Sequence, residues 1–400
     1  MRGTRQTASA PAPSVARETV ELRIDSLAAG GDGVGRAPDG RAVFVPGTAP
    51  GDRVRVRLVE VHARHARGRA VELLEAGPAR TDPVCAVFGA CGGCTWQHVT
   101  YAAQLEAKAA ILRDALERIG KLRVPGELRV EPSPSPYAYR GRARVLVEGG
   151  RVGFRRQRSH ALCATARCPV LVPELEARLR ELAEHPPAQA GEWELTVGEG
   201  GATRAVPLEG RGKRGQPILV AMGADRLRVS PGVFVQSNAL LLETLASAVA
   251  EAAGSGALAL ELFAGAGFLT LGLARRFARV VAVEASRDAA RDLAESCRAA
   301  GLANVEVIAE PVEVVLAMRR LPGGADAVIL DPPRRGLPPG SAEALSRLAP
   351  RRIALLSCDP ATLARDAALL GGEGFALRGV RAFDLFPQTP HVEALAVLER

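Results

Sequence analysis

The sequence predicts an α/β protein in three parts: an N-terminal OB-like β-barrel, a small central α+β region and a C-terminal Rossmann-like domain. Short alternating strands with glycine turns fill residues 18–76. Residues 77–228 combine helix-like and strand-like stretches with a cluster of cysteines. From residue 229 onward, apolar strand-like runs alternate with helix-like stretches, which predicts a parallel sheet covered on both faces.

Composition limits the protein's class and its partners. The 400 residues are 47% hydrophobic and carry a formal net charge of +8. The apolar fraction is sufficient for sizeable cores, and the basic balance suits an anionic partner such as RNA. Almost all cations are arginine, a bias that a GC-rich genome also produces, so charge alone does not decide the partner.

The cell compartment follows from the termini and the cysteines. Residues 1–17 lack an apolar core and predict a disordered tail, and no apolar run is long enough to span a bilayer. Seven unevenly spaced cysteines without a secretory signal favour metal or catalytic roles over disulfides. We therefore expect a cytoplasmic monomer with no membrane attachment.

The barrel segment has turns at residues 30–33 and 46–52. It resembles a TRAM domain in Gly-Asp-Gly-Val-Gly-Arg and Val-Pro-Gly-Thr-Ala-Pro-Gly-Asp. That resemblance implies RNA binding. Composition alone is also compatible with a generic barrel whose basic face is solvated.

Four cysteines form the clearest motif of the central region: Cys85, Cys91, Cys94 and Cys168. Three of them are closely spaced, with two glycines in the tightest gap, which indicates a metal site. The fourth would join two distant parts of the chain. Four thiolates suit an iron–sulfur cluster, and a structural zinc is the alternative. A helix over residues 99–119 follows, with Gly120 as its C-cap, and we expect it to pack on the C-terminal domain.

An arginine-rich hairpin is predicted next. Residues 139–158 carry seven arginines around Gly149-Gly150. The arginines of so basic a strand pair would repel one another unless an anion lay against them, which predicts contact with phosphate groups. The alternative is that these arginines form an ordinary solvated surface. The candidate RNA-binding residues are Arg140, Arg142, Arg144, Arg155 and Arg156.

The first two strands of the C-terminal domain end in a candidate cofactor site. Gly265 and Gly267 follow Phe263 and would let the backbone approach a ligand. Glu284 ends the next strand, where a carboxylate can hold ribose hydroxyls. Alone, this pattern fits any dinucleotide or S-adenosylmethionine site.

The fourth and fifth strands end in the motifs Asp331-Pro-Pro-Arg and Ser-Cys358-Asp-Pro. Both would lie at the carboxyl rim of the sheet, beside the reactive part of a cofactor. The helix that follows Cys358 would favour a thiolate at its N-terminus. The rim position therefore predicts a nucleophile at Cys358, whereas Cys297 is expected in the core.

Taken in order, these motifs resemble the RNA uracil-5-methyltransferase family over residues 18–400. The resemblance rests on Phe-Gly-Ala-Cys-Gly-Gly-Cys-Thr-Trp-Gln, Phe-Val-Gln-Ser-Asn, the glycine turn, Asp-Pro-Pro-Arg, Ser-Cys-Asp-Pro-Ala-Thr-Leu-Ala-Arg-Asp and His-Val-Glu. It implies a class I S-adenosylmethionine-dependent methyltransferase domain at 229–400, a TRAM domain at 18–76, and a central iron–sulfur and RNA-binding region at 77–228. The cluster-bearing bacterial branch of the family methylates 23S ribosomal RNA.

The resemblance also implies residue roles. Cys358 would add to uracil C6, and Glu393 would be the base that removes the C5 proton. The four cysteines would hold a 4Fe–4S cluster. Contacts to S-adenosylmethionine would come from Gln236, Phe263, Gly265, Gly267, Glu284 and Asp331.

Two positions depart from the family pattern. Phe268 stands where a small polar residue is usual, and Asp359 stands where asparagine is common, beside the thiol. Two other functions stay open. One is methylation of transfer RNA, which we expect less than ribosomal RNA. The other is a non-catalytic RNA-binding iron–sulfur protein, which would predict a damaged site, whereas Cys358, Asp331 and Glu393 are all present.

Overall fold

The computed structural model describes residues 18–209 and 215–400. The predicted tail at 1–17 lies outside the described residues. The N-terminal prediction is confirmed as a closed five-stranded barrel with strand order β1-β2-β3-β5-β4. Its strands are β1 (Thr19–Leu27), β2 (Gly33–Arg36), β3 (Ala42–Val45), β4 (Arg53–Val61) and β5 (His65–Glu75).

Strict alternation builds this barrel. In β4, Val54, Val56 and Leu58 are buried, while the arginines between them face outward. Glycine is required in β2, where a Cβ on Gly33 would come within 2.1 Å of the Thr48 hydroxyl oxygen. The Gly-Val-Gly pattern therefore reflects strand packing.

Helix α1 (Tyr101–Asp114) continues into a π-helical turn, Ala115–Ile119, and ends at Gly120, as predicted. Leu112 and Leu116 join the apolar core on one face of the C-terminal sheet. The short strand β6 (Val130–Glu131) then pairs in parallel with the edge of that sheet. This part of the central region is thus packed onto the C-terminal domain.

A separate five-stranded sheet forms the rest of the central region, with strand order β11-β10-β7-β8-β9. Helix α2 covers it through Leu175, Leu179 and Leu182. A hairpin of β12 and β13 follows and packs into the C-terminal core. The elements are β7 (Arg142–Glu148), β8 (Arg151–Arg155), β9 (Leu162–Ala164), α2 (Pro173–Glu184), β10 (Gly191–Val197), β11 (Thr203–Pro207), β12 (Ile218–Met222) and β13 (Asp225–Val229).

The C-terminal domain is an eight-stranded sheet with strand order β16-β15-β14-β17-β18-β20-β19-β6. Strands β14 (Gly256–Leu262), β15 (Phe277–Val283), β16 (Val305–Ile308), β17 (Ala327–Leu330) and β18 (Arg352–Ser357) run parallel. β19 (Ala376–Phe383) and β20 (Glu393–Glu399) form the added antiparallel pair. The helices are α3 (Leu242–Ala253), α4 (Thr270–Ala274), α5 (Arg287–Ala299), α6 (Val312–Ala317), α7 (Ser341–Leu348) and α8 (Pro360–Gly372).

Two apolar cores cover the two faces of this sheet, as the continuous apolar strands predict. Within the described residues, the structure contains no helix with the length and apolarity that crossing a membrane requires.

Candidate active site and cysteine cradle

Three predicted site residues meet at the carboxyl rim of the C-terminal sheet. Asp331 follows β17 and Cys358 follows β18, and these two strands are paired in parallel register. Glu393 begins β20, which runs antiparallel to β18 with Ser357 opposite Ala394. This register places Glu393 beside Cys358. The sheet topology therefore brings the predicted nucleophile, the predicted base and the carboxylate of the Asp-Pro-Pro-Arg motif together.

The Cys358 thiol is half-buried at the end of β18. Burial raises its pKa to about 11, and the carboxyls of Glu393 and Asp331 also raise it, while the Arg334 guanidinium lowers it by charge and hydrogen bonding. Burial and the two carboxyls therefore oppose the thiolate that the position at a helix N-terminus favours. Asp359 instead caps α8, accepting a hydrogen bond from Thr362 N at 2.8 Å.

The buried acids at this rim hold protons unusually tightly. Burial raises the pKa of Glu393 well above its ordinary value, and the charge of Asp331 raises it further while Arg334 lowers it. Burial also raises the pKa of Asp331 to about 7. Carboxyls whose pKa is shifted toward neutrality are suited to proton transfer.

The glycine turn between β14 and α4 forms the opposite side of the crevice. Gly265 and Gly267 have φ values of +57° and +93°, and Gly265 faces open space. Phe263 also has a positive φ, +66°, which is rare for a residue with a side chain. Glu284 accepts a hydrogen bond from Gly265 N at 2.8 Å. The turn and the predicted ribose-binding carboxylate are therefore already connected.

Gln236 and Phe268 are equally buried, but they lie in different surroundings. Gln236 is 8% exposed and follows the exposed Phe234 in the segment before α3. Phe268 is also 8% exposed but belongs to the apolar core that contains Ala264 and Leu293. The aromatic departure at Phe268 is thus explained by core packing.

Two site residues were missed by the sequence analysis. Arg334 is the last residue of the Asp-Pro-Pro-Arg motif, and its charge lowers the pKa of both Cys358 and Glu393. Glu261, one residue before the end of β14, is 1% exposed and accepts a hydrogen bond from the Thr270 hydroxyl at 2.6 Å. Burial raises the pKa of Glu261 to about 8. The available signal was an acidic residue inside an otherwise apolar strand.

The four predicted metal-binding cysteines line one cavity, here called the cysteine cradle: Cys85, Cys91, Cys94 and Cys168. Burial raises the pKa of Cys91 to about 11 and of Cys168 to about 12, and neighbouring thiols add to both effects. The loop approaches β8 closely, with Gly92 N donating to Arg155 O at 2.9 Å. Folding therefore gathers all four thiols, including the distant one.

The cysteine cradle is lined by thiols and by one arginine. Among the described residues, no group of three or more His, Cys, Asp or Glu side chains is arranged to hold a metal ion. Arg140 lines the same cavity, and its buried Nε has no hydrogen-bond partner within the described residues. A buried cation here would complement an anionic cluster.

The arginine-rich hairpin receives counter-charges from β10. Arg142 and Arg204 both pair with the fully buried Glu194, at 2.5 and 2.9 Å. Arg155 pairs with Glu192 at 2.8 Å, and Arg144 approaches the same carboxylate at 3.9 Å.

Five arginines were predicted to contact RNA, and the structure divides them. Arg140 lines the cysteine cradle and Arg142 pairs with the buried Glu194, so both have partners within the protein. Arg144, Arg155 and the exposed Arg156 remain surface candidates.

Family comparisons agree with the motifs. A family model described as tRNA (Uracil-5-)-methyltransferase matches residues 220–400. A TRAM domain model matches residues 13–71, which include all but the last four residues of the closed barrel.

Several relatives match along nearly the full chain. An uncharacterized RNA methyltransferase from Gloeobacter violaceus is 33% identical over 448 residues, covering 96% of this chain and 97% of the relative. A 23S rRNA (uracil(1939)-C(5))-methyltransferase RlmD from Alkalilimnicola ehrlichii is also 33% identical, covering 96% and 97%. The solved structure of the Pyrococcus abyssi tRNA (uracil-54, C5)-methyltransferase with S-adenosyl-L-homocysteine has a TM-score of 0.74 at 26% identity, covering 94% of this chain and 100% of that one.

Proposed function

We propose that this chain, which belongs to the RNA (uracil-5-)-methyltransferase family, transfers a methyl group from S-adenosylmethionine to C5 of a uridine in 23S ribosomal RNA. The observation that carries this proposal is the convergence of Cys358, Glu393 and Asp331 at one sheet rim. Uracil C5 is a weak nucleophile, so a thiol beside a buried acid provides the activation that the reaction needs.

The reaction proceeds in three balanced steps. The Cys358 thiol first loses its proton to solvent. The resulting thiolate forms a bond to C6, and the C5–C6 π electrons move toward O4 as an enolate, while Glu393 stays ionised. C5 then forms a bond to the methyl carbon, and the carbon–sulfur bond of the donor breaks to leave neutral S-adenosylhomocysteine. Glu393 takes the C5 proton, the C5–H electrons restore the C5–C6 double bond, and the C6–sulfur bond breaks to release the thiolate.

The acidic crevice suits a cationic methyl donor. Glu261, Asp331 and Glu284 surround the glycine turn and the rim, and two of them have a raised pKa because of burial. A sulfonium beside them would favour their charged forms and would also lower the pKa of the Cys358 thiol. The open space at Gly265 leaves room for a ligand.

We further propose that the cysteine cradle holds a 4Fe–4S cluster, with zinc as the alternative. Four protein ligands would leave no open iron for substrate. The cradle residues would then serve to hold the β8 side of the central sheet against the loop of Cys91. No step of methyl transfer passes through the cluster.

Ribosomal RNA is the favoured substrate because relatives of nearly full length carry that name. Transfer RNA is the second candidate, supported by the solved Pyrococcus abyssi neighbour. The target base would have to leave its stack to reach the half-buried Cys358.

The deciding experiment is labelled methyl transfer to ribosomal and transfer RNA from a strain that lacks this protein, followed by mapping of the methylated nucleotide. We expect 5-methyluridine in 23S RNA with the wild type. Cys358→Ala should abolish it, whereas the matched core variant Cys297→Ala should retain it. Equal transfer by Cys358→Ala would exclude the covalent mechanism, and methylation confined to transfer RNA would exclude the proposed substrate.

A further inference from the structure

The loop of residues 384–391, here called the base loop, joins β19 to β20 and leads directly into Glu393. A pair of buried amides holds it: Gln104 in α1 is 0% exposed and Gln388 is 3% exposed. Gln104 Nε2 donates to Gln388 Oε1 at 3.0 Å, and Gln388 N donates to Gln104 Oε1 at 2.9 Å. The centre of the base loop is thus bound to a helix from another part of the chain.

The backbone of Gln388 gives independent support. Its φ is +68°, a conformation that residues with side chains rarely adopt and that persists only where surrounding contacts enforce it. Its carbonyl oxygen accepts hydrogen bonds from Thr95 N and Trp96 N, both at 3.0 Å. Thr95 directly follows Cys94, so the base loop is pinned by the segment that leaves the cysteine cradle.

Other regions contact the same loop. Tyr139 donates its hydroxyl to Pro387 O at 2.9 Å, and Lys108 Nζ donates to Phe386 O at 3.0 Å. A Cβ on Gly31 of the barrel would stand 3.6 Å from Pro390 Cγ. The base loop is therefore the place where the barrel, the central region and the C-terminal sheet meet.

We propose that Gln104 and Gln388 are positioning residues for Glu393. The proposal rests on the role of Glu393 as the base given above. Glu393 follows Gln388 by five residues, whereas Cys358 lies at the end of a different strand, β18. Loosening the amide pair should displace the base and leave the nucleophile in place. The expected consequence is selective: proton removal and release of the adduct slow, while thiol addition and methyl transfer continue.

The test uses Gln104→Met and Gln388→Met in the full chain, because methionine has similar length and no amide. Single-turnover reactions with 23S RNA are sampled for labelled methyl transfer and, on a denaturing gel, for protein-bound RNA. We expect release from the adduct to be about 10-fold slower, so that bound RNA accumulates, with the methyl-transfer burst and the KM for S-adenosylmethionine unchanged.

Two further variants make the result decisive. Thr389→Val removes two local bonds of the same loop, one that the Thr389 hydroxyl donates to Phe386 O and one that it accepts from His391 N, and should release RNA like the wild type. Gln388→Gly removes the amide while accommodating the positive φ, so it should accumulate adduct even if Gln388→Met does not fold.

The positioning role is overturned if the Gln104 and Gln388 variants release RNA at the wild-type rate. It is also overturned if the methyl-transfer burst and the release of RNA from the adduct slow in equal proportion. Failure of the proposed function looks different, because then the wild type forms no 5-methyluridine or Cys358→Ala remains active.

Discussion

The cysteine cradle and the sheet rim use the same side chain in opposite surroundings. In the cradle, four half-buried cysteines line one cavity together with Arg140, and burial raises the pKa of Cys168 to about 12. At the rim, one thiol faces Glu393, Asp331 and Arg334, and its pKa is raised to about 11. Both sites protect the neutral thiol, yet their neighbours offer different ways to remove the proton.

The difference shows that a cysteine's role depends on what can replace its proton. In the cradle, the proposed metal would supply the positive charge that holds four thiolates together. At the rim, a carboxyl lies close enough to exchange a proton with a single thiol, and the charge of the nearby arginine favours the thiolate. Burial alone does not distinguish a ligand from a nucleophile, whereas the neighbouring groups do.

The largest expected effect comes from the base. Glu393→Gln keeps the shape of the rim but cannot accept the C5 proton, so turnover should fall on the order of 10³-fold and a covalent protein–RNA adduct should accumulate. Denaturing gels with labelled RNA measure the adduct. Glu399→Gln, at the far end of the same strand, is the control. Finding only free RNA with Glu393→Gln would remove this residue as the base.

Cysteine variants of the cradle and of the rim should also differ in the iron that the protein retains. Cys168→Ser should lose the cluster, seen as loss of bound iron and of visible absorbance, and should weaken RNA binding about 10-fold because the β8 side is released. Cys358→Ala should keep its full iron content. If both variants lose iron equally, the division between the two cysteine sites is wrong.

Arg334 sharpens the comparison through pH. Its charge lowers the pKa of both Cys358 and Glu393, so Arg334→Gln should raise both values. The thiolate fraction at pH 7 would then fall, and the rate should drop about 10-fold. The deficit should shrink as the pH rises toward the higher thiol pKa.

The measurement for Arg334 is the pH dependence of kcat/KM at saturating donor. Arg335→Gln, the exposed neighbour, is the matched control and should keep the wild-type profile. Because the thiol pKa is about 11, the deficit should stay constant up to about pH 9 and shrink only as the pH reaches that value, so a deficit of the same size at pH 7 and pH 11 would show that Arg334 does not act through the proton affinity of Cys358.

The smallest effect is expected on the surface of the hairpin. Arg156→Gln should reduce RNA affinity about 3-fold at low salt and lower the salt dependence by about one phosphate contact, without changing the unfolding temperature. Arg142→Met should instead lower stability and leave RNA affinity unchanged. It removes one partner of the buried Glu194 and should cost about 3 kcal/mol of unfolding free energy. Equal loss of RNA affinity in both would contradict the inward role of Arg142.

Local chemistry and periodicity were sufficient for much of this molecule. Alternation in β4 and apolar runs in β14–β18 follow from which faces must be buried, so the barrel and the parallel sheet were predictable. Motif order likewise predicted where Cys358 and the four cradle cysteines lie, because each motif follows a strand end or a tight turn that its own residues specify.

Only the tertiary structure decided the surroundings of these groups. The sequence placed Arg140 and Arg142 among the RNA-binding residues because their partners are not visible in the local sequence. Arg142 pairs with Glu194 and Arg140 lies beside the cradle thiols, and these groups come from other segments. The raised pKa of Cys358 and the Gln104–Gln388 pair depend on contacts between residues far apart in the chain. Charge, burial and hydrogen bonding act between residues that are close in space, whatever their distance along the chain. A motif residue therefore acquires its pKa and orientation only when distant segments pack against it.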